Sequence, residues 1–153
     1  MLKPMLLMDE IIKTAERWAG KLDQTTQMLL GLEEETKLPN GWGKRELFVH
    51  LSGWDKEFID FSEEMRKKVP FYPFYEYEGE AKNQQFLEES LKLSDKEVYT
   101  RFNQLRTQLK EIYQDIITNY PQKNKEFVGF FSIWWHDLHH LKQAGCDVTH
   151  LEE

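Results

Sequence analysis

Residues 44–65, KRELFVHLSGWDKEFIDFSEEM, decide the fold class of this 153-residue chain. Their apolar side chains recur at intervals of three and four positions, which is the period of an amphipathic α-helix. These side chains are Leu47, Leu51, Trp54, Phe58, Phe61 and Met65. The segment therefore predicts a helix that begins near Lys44 and buries one stripe in a core. We expect this helix to end at Pro70, because proline is incompatible with a helix interior.

Helical spacing continues on both sides of this segment. A first helix is predicted from about Met8 to Leu32, and the stretch TKLPNGWG at 36–43 separates it from the second, since proline and glycine disfavour helix. A short helix is predicted from Asn83 to about Leu91. Residues 70–80, PFYPFYEYEGE, follow no helical or alternating pattern and predict an ordered loop. Its aromatic rings suit the roof of an apolar pocket, packing across a bundle end, or a dimer interface.

Two longer helices complete the chain. Ser94 and Glu97 have the spacing of a capping box, which predicts the start of a third long helix that closes near Pro121. The last helix is predicted from about Lys125 to Ala144, because Gly145 follows as a C-cap glycine. Four helices of about 20 residues around one core predict an all-α four-helix bundle, with residues 1–153 as a single domain.

Composition narrows the classes of function. The net charge is −7 and the isoelectric point is about 5.3, whereas nucleic-acid binders carry a basic stripe. We therefore expect no nucleic-acid partner. No apolar run approaches the roughly 18 residues of a membrane span, and the start of the chain suits a helix lead-in better than a signal peptide. The single cysteine, Cys146, forms no intrachain disulfide, which fits a cytoplasmic location.

Three histidines cluster in WWHDLHHLKQ, residues 134–143. The core stripe of this helix is predicted to comprise Phe127, Phe130, Phe131, Trp134, Leu138 and Leu141. At about 100° per residue from Trp134, His136 and His140 lie near about 200° and 240°, outside that stripe. They are four positions apart on one helix face, where two imidazoles reach a single metal ion at about 2.1 Å each. The alternative is a solvated polar face. Small residues on the same face leave room for a cavity, namely Gly129 and Ser132.

A third histidine for such a site comes from the second helix. His50 lies one turn before Trp54, at the edge of the apolar stripe. A single histidine in that place is usually an ordinary hydrogen-bonded residue of a core or its boundary. A histidine pair on another helix makes His50 a candidate third ligand.

The order of these segments resembles the DinB-like (YfiT-like) superfamily. The resemblance rests on GWGKRELFVHLSGWDKEF at 41–58, on the aromatic-rich loop and on HDLHHLKQ at 136–143. The family pattern places a histidine followed by leucine and a later tryptophan in the second helix, and an HxxxHxxQ segment in the fourth. The tract from Ala81 through Ser94 to Ile116 is similar to the ClbS/DfsB-type branch.

This resemblance implies a four-helix bundle of up-down-down-up connectivity. It implies a divalent metal, nickel or zinc, held by His50, His136 and His140. It also implies a thiol-dependent transferase or a hydrolase that acts on a small molecule in detoxification or stress. A low-molecular-weight thiol is then a candidate co-substrate, and a homodimer a candidate assembly.

A ligand histidine needs a hydrogen-bond partner for its other ring nitrogen. We expect Gln143, one turn from His140, to provide it. Asp55 and Asp137 are further candidates, and the alternative for both is that they are ordinary polar residues of the surface. His139 is expected to be exposed or to lie behind the ligands, because it is about 100° from His140 on the helix.

Other functions remain open, among them a purely structural or regulatory role. HDLHH invites comparison with the HExxH metalloproteases, but Asp137 is one methylene shorter than glutamate and no third ligand follows at the required spacing. A bundle that binds or sequesters a small molecule without turnover is the stronger alternative. No nucleophile stands out, because Cys146 lies past the last helix. His150 lies in a tail that we expect to be mobile.

Overall fold

A computed structural model describes residues 3–67, 79–120 and 133–152 of the chain. Within these residues the chain forms five α-helices and no strand, and a single isolated antiparallel bridge pairs Lys37 with Gly43. The helices are α1 (Lys3–Leu30), α2 (Lys44–Lys67), α3 (Gly79–Ser90), α4 (Asp95–Asn119) and α5 (Ile133–Gln143). The all-α prediction is confirmed. None of the described helices is long and apolar enough to cross a membrane.

Helix boundaries agree with the predictions where capping residues mark them. α2 begins at Lys44, and α4 follows Ser94, whose Oγ accepts a hydrogen bond of 3.1 Å from the Glu97 amide. At the end of α5, Gly145 has a φ of 85°, and the Cys146 amide donates to the Leu141 carbonyl at 3.0 Å. This is the left-handed cap that glycine forms without strain.

The other helix starts differ from the predictions. α1 begins at Lys3 and not near Met8, because Pro4 is compatible with a first helical turn and the residues after it favour helix. α3 begins at Gly79 and not at Asn83. The predicted helix end at Pro70, the aromatic loop and the predicted start near Lys125 lie outside the described residues.

The chain divides into two compact units, one of which combines Met1–Gly31 with Lys110–Glu153. In this unit α1 packs against α5, and the rings of Trp18 and Trp134 lie 6.0 Å apart between centroids. Lys21 Nζ lies 4.5 Å from the centroid of the Trp134 ring and donates to the Leu151 carbonyl at 2.6 Å. The predicted stripe of α5 is confirmed for its described members, which are buried: Trp134, Leu138 and Leu141.

The second unit is Leu32–Leu109. Here α2 packs against α3, and residues 47–53 of α2 are all buried. Seven consecutive buried residues include every face of a helix, so this part of α2 is covered on all sides. The single stripe predicted for α2 is therefore only partly right. Leu47 and Leu51 are buried as predicted, whereas Phe58 and Phe61 are half-buried and Ile59 is buried in their place.

Candidate metal centre

The two histidines of α5 that the spacing placed on one face do lie together. Nε2 of His136 is 3.1 Å from Nε2 of His140, and the two ring centroids are 4.7 Å apart. His140 is buried and His136 is half-buried. The alternative of a solvated polar face is therefore wrong for His140.

The other ring nitrogen of His140 has the partner that the sequence predicts. Gln143 Oε1 lies 2.9 Å from His140 Nδ1. In the tautomer that carries a proton on Nδ1, this contact is a hydrogen bond from the ring to the amide oxygen, and Nε2 keeps its lone pair. That lone pair makes Nε2 the atom able to ligate a metal.

Burial favours the neutral form of this imidazole. Removal from water lowers the pKa of His140 below its usual value, although the hydrogen bond to Gln143 acts in the opposite direction. A neutral imidazole is the form that binds a metal ion, since protonation blocks the lone pair. Burial of His140 thus favours the form of its ring that is able to bind a metal ion.

His50 is buried in the first half of α2. The Trp42 ring lies against it, with 5.0 Å between centroids and 51° between planes. A tight turn brings Trp42 there: the Gly41 amide donates to the Leu38 carbonyl at 2.9 Å, and the Trp42 amide donates to Asn40 Oδ1 at 3.0 Å. Gly41 supports the turn with a φ of 89°, a conformation that favours glycine.

The three histidines meet the first requirement of a shared metal site. One ligand nitrogen from each of His50, His136 and His140 lies within 4.8 Å of the others. Two nitrogens at about 2.1 Å from one ion are about 3.0–3.4 Å apart at bond angles of about 90–109°. The 3.1 Å between the α5 nitrogens falls in that range, and a donor set of three imidazoles suits zinc or nickel. The 4.8 Å span of all three nitrogens exceeds this range, so it is the donor chemistry of these residues, three imidazoles, that fits a divalent ion.

Asp55 and Asp137 have partners other than a histidine. Asp55 forms a buried ion pair with Arg106, in which Nε donates to Oδ2 at 2.8 Å and Nη2 to Oδ1 at 3.3 Å. Asp137 is buried and accepts a hydrogen bond of 2.7 Å from Thr25 Oγ1 on α1. The surface position weighed for both carboxylates is wrong, because each is buried with a donor that offsets its desolvation.

Of the remaining residues singled out in the sequence, His139 borders this cluster, with 5.2 Å between its ring centroid and that of His140. His139 is exposed, as expected, and its Nε2 lies 3.3 Å from Gln143 Nε2. His150 is exposed, but in a 3₁₀ turn, Thr149–Leu151, whose Leu151 is buried, so an ordered turn replaces the expected mobile tail. Gly129 and Ser132 lie outside the described residues.

Sequence reasoning missed Thr25, Trp42 and Arg106. Thr25 and Arg106 occupy positions on the apolar stripes of α1 and α4, and both are buried. A polar residue on such a stripe signals a buried partner, although the spacing does not say which residue that is. Trp42 follows Gly41 in a loop. Loops have no helical period, so the sequence does not predict that the Trp42 side chain contacts His50.

The chain was compared with known proteins by three routes. No family model matches it, no curated protein is significantly similar to it, and no solved structure matches its fold significantly.

Proposed function

We propose that His50, His136 and His140 together hold one divalent metal ion, nickel or zinc, and that the protein is a metal-dependent enzyme acting on a small molecule. The observation that carries the proposal is the approach of three ring nitrogens to within 4.8 Å of one another. Such a convergence has no structural need, since apolar residues fill a helical core at lower cost in desolvation.

Three imidazoles leave a coordination position for a substrate. A bound divalent ion supplies Lewis acidity, which activates water or a thiol and polarises a carbonyl group. The chain's own contribution is to keep His140 neutral by burial and to orient its ring through Gln143. A thiol-dependent transfer to a small electrophile or a hydrolysis suits this arrangement best, with a low-molecular-weight thiol as co-substrate of the transfer.

The wider proposal is a DinB-like four-helix bundle of up-down-down-up connectivity, with relatives of the ClbS/DfsB type. It is supported by the sequence segments around His50 and His136 and by the all-helical fold. The proposal also includes a homodimer and a location in the reducing cytoplasm. The location is supported by the single cysteine, which forms no intrachain disulfide.

A non-catalytic bundle that binds or sequesters a small molecule is the second candidate. The half-buried aromatic ring of Trp42, which lies against His50, favours it. This candidate requires a ligand but no turnover, and it allows the histidines to bind that ligand directly.

Metal content tests the proposal. The protein is purified from cells grown with ample nickel and zinc, and metal per chain is measured by elemental analysis for the wild type and for His50→Ala, His136→Ala and His140→Ala. We expect about one equivalent in the wild type and a large loss in each variant. The matched control is His150→Ala, which removes an exposed histidine and is expected to keep the metal.

Well under one equivalent in the wild type, or full retention in the three variants, contradicts a metal centre. The loaded protein is then assayed with electrophilic and ester substrates, with and without small thiols. Metal without turnover of any substrate favours the binding protein over the enzyme.

A further inference from the structure

Trp42 is the aromatic residue that lies against the candidate ligand of α2. Its ring is half-buried and contacts the ring of His50, with 5.0 Å between the two centroids. Both residues belong to the unit Leu32–Leu109, so this contact lies within one compact part of the chain. The indole thus combines a contact with His50 and a surface that is still accessible to a small molecule.

The loop before α2 holds Trp42 in this place. The Leu38 amide donates to the Trp42 carbonyl at 2.9 Å, and Lys37 pairs with Gly43 in the isolated antiparallel bridge. Leu38 is buried in the core, and the Leu47 amide of α2 donates to the Gly43 carbonyl at 3.1 Å. Because the backbone on both sides of Trp42 is hydrogen-bonded, the ring loses little freedom when a ligand binds, which favours affinity.

The charges next to Trp42 favour a neutral ligand group. A Cβ atom built at Gly43 lies 3.3 Å from Glu46 Oε2 and 3.5 Å from Lys37 Nζ, so one charge of each sign lies close to that position. A cationic group loses its hydration on binding and needs an excess of negative charge or several aromatic rings in return. A neutral aromatic ring needs neither, and it pairs with an indole in offset or edge-to-face geometry.

We infer that Trp42 is a specificity-determining residue, whose indole contacts a neutral aromatic ring of the small molecule that the histidine cluster binds through a polar group. The substrate class is therefore an aromatic compound that carries its reacting polar group close to the ring. The inference rests on the proposed function for the polar group, whereas the aromatic contact needs only Trp42 and its loop.

Two hydroxamic acids separate the aromatic contact from the metal. Acetohydroxamic acid and benzohydroxamic acid present the same chelating group to a metal ion, and they differ in a methyl group against a phenyl ring. The ratio of their dissociation constants for the zinc-loaded protein, measured by titration calorimetry, cancels the bonds to zinc that both form. We expect the wild type to prefer benzohydroxamic acid by about 10-fold.

Two substitutions at position 42 test which part of the side chain matters. Trp42→Leu keeps an apolar side chain beside His50 but removes the aromatic ring, and it is expected to lose most of the preference. Trp42→Phe keeps a ring and is expected to retain part of it. The matched control is Trp135→Leu, because Trp135 is exposed and stacks on Trp134; it is expected to keep the preference of the wild type. A preference of wild-type size in Trp42→Leu overturns the inference.

A titration of the metal-free protein distinguishes this inference from the metal centre. Benzyl alcohol is added, and the indole N–H signals of the five tryptophans are followed in proton–nitrogen NMR spectra, with Trp42 assigned by the signal that Trp42→Phe lacks. We expect the Trp42 signal to shift. If it shifts but the wild type holds no zinc, the metal centre fails and the aromatic contact stands. A Trp42 signal that does not move overturns the aromatic contact, whether or not zinc binds.

Discussion

The buried polar side chains of the described residues include imidazoles and an ion pair, which differ in what they need. His50 and His140 are imidazoles, which tolerate burial because they have a neutral form. Asp55 and Arg106 are buried as ions, and each needs the other. The sequence indicated the closeness of His136 and His140 from their spacing on one helix, but not the Asp55 partner, because Arg106 lies 51 positions away.

The buried ion pair provides a prediction at the scale of the residue. Arg106→Met leaves the Asp55 carboxylate buried without its guanidinium, and we expect the free energy of unfolding to fall by about 3–5 kcal/mol. Urea denaturation measures the change. The double variant Asp55→Leu/Arg106→Met removes both charges and is expected to recover most of the loss.

The matched control for this prediction is the exposed pair of Lys56 and Asp60, which are 2.7 Å apart on α2. Lys56→Met is expected to change the free energy of unfolding by less than about 1 kcal/mol, since solvent screens exposed pairs. If Arg106→Met lowers the free energy of unfolding by no more than Lys56→Met does, the buried Asp55 carboxylate does not depend on Arg106 for its stability.

At the scale of helices, periodicity predicted the existence of elements better than their packing. Ser94 and Gly145 marked helix ends, because a cap is a local interaction between neighbouring residues. The burial of α2 on every side over residues 47–53 was not predicted, since a stripe records only where apolar residues are dense. The closeness of α2 to α3 at Gly53 was missed for a similar reason, as a glycine in a helix has no packing signal of its own.

Gly53 carries a prediction about the contact between α2 and α3. A Cβ atom at this position meets Cγ of Phe86 at 2.3 Å, which no pair of carbon atoms tolerates without a shift of the ring or the helix. We expect Gly53→Ala to lower the free energy of unfolding by about 1–3 kcal/mol. Thermal and urea unfolding both report this change.

Gly20 in α1 is the control, because nothing lies within 4 Å of a Cβ built there. Gly20→Ala is expected to stabilise the protein by about 0.5–1 kcal/mol through helix propensity alone. Opposite signs for the two alanine variants support the close packing of Phe86 on Gly53. Equal stabilisation by both contradicts it.

The start of α4 offers a further prediction for a single element. Ser94 Oγ accepts from the Glu97 amide, so Ser94→Ala leaves that amide without its cap and is expected to cost about 1 kcal/mol in unfolding free energy. Ser94→Asp retains an acceptor and is expected to stay near the wild type. A loss of the same size in Ser94→Asp and Ser94→Ala argues that the cap is not the cause.

At the scale of the whole molecule, metal binding at the proposed site is expected to be linked to folding. The proposed ligands come from α2 and α5, which are far apart in sequence, so an unfolded chain offers no preformed site. The fold class was predictable because helical spacing runs through most of the sequence. The pairing of helices was not, since several arrangements bury the same stripes, and the bundle topology and single domain stay predictions.

This linkage predicts a stability that depends on metal. Zinc or nickel at 100 times its dissociation constant is expected to raise the free energy of unfolding by about 2.7 kcal/mol, and a chelator is expected to reverse the rise. Differential scanning calorimetry with and without metal measures it. His50→Ala is expected to lose the shift and His150→Ala to keep it; a shift of equal size in both variants places the ion elsewhere.

The most direct measurement is a crystal structure of the metal-loaded protein with anomalous data collected at the edge of the bound metal. The account predicts one anomalous peak with a ring nitrogen of His50, His136 and His140 each at about 2.0–2.1 Å from it. A peak coordinated by the α5 pair without His50, or no peak near these residues in crystals grown with excess zinc or nickel, contradicts it.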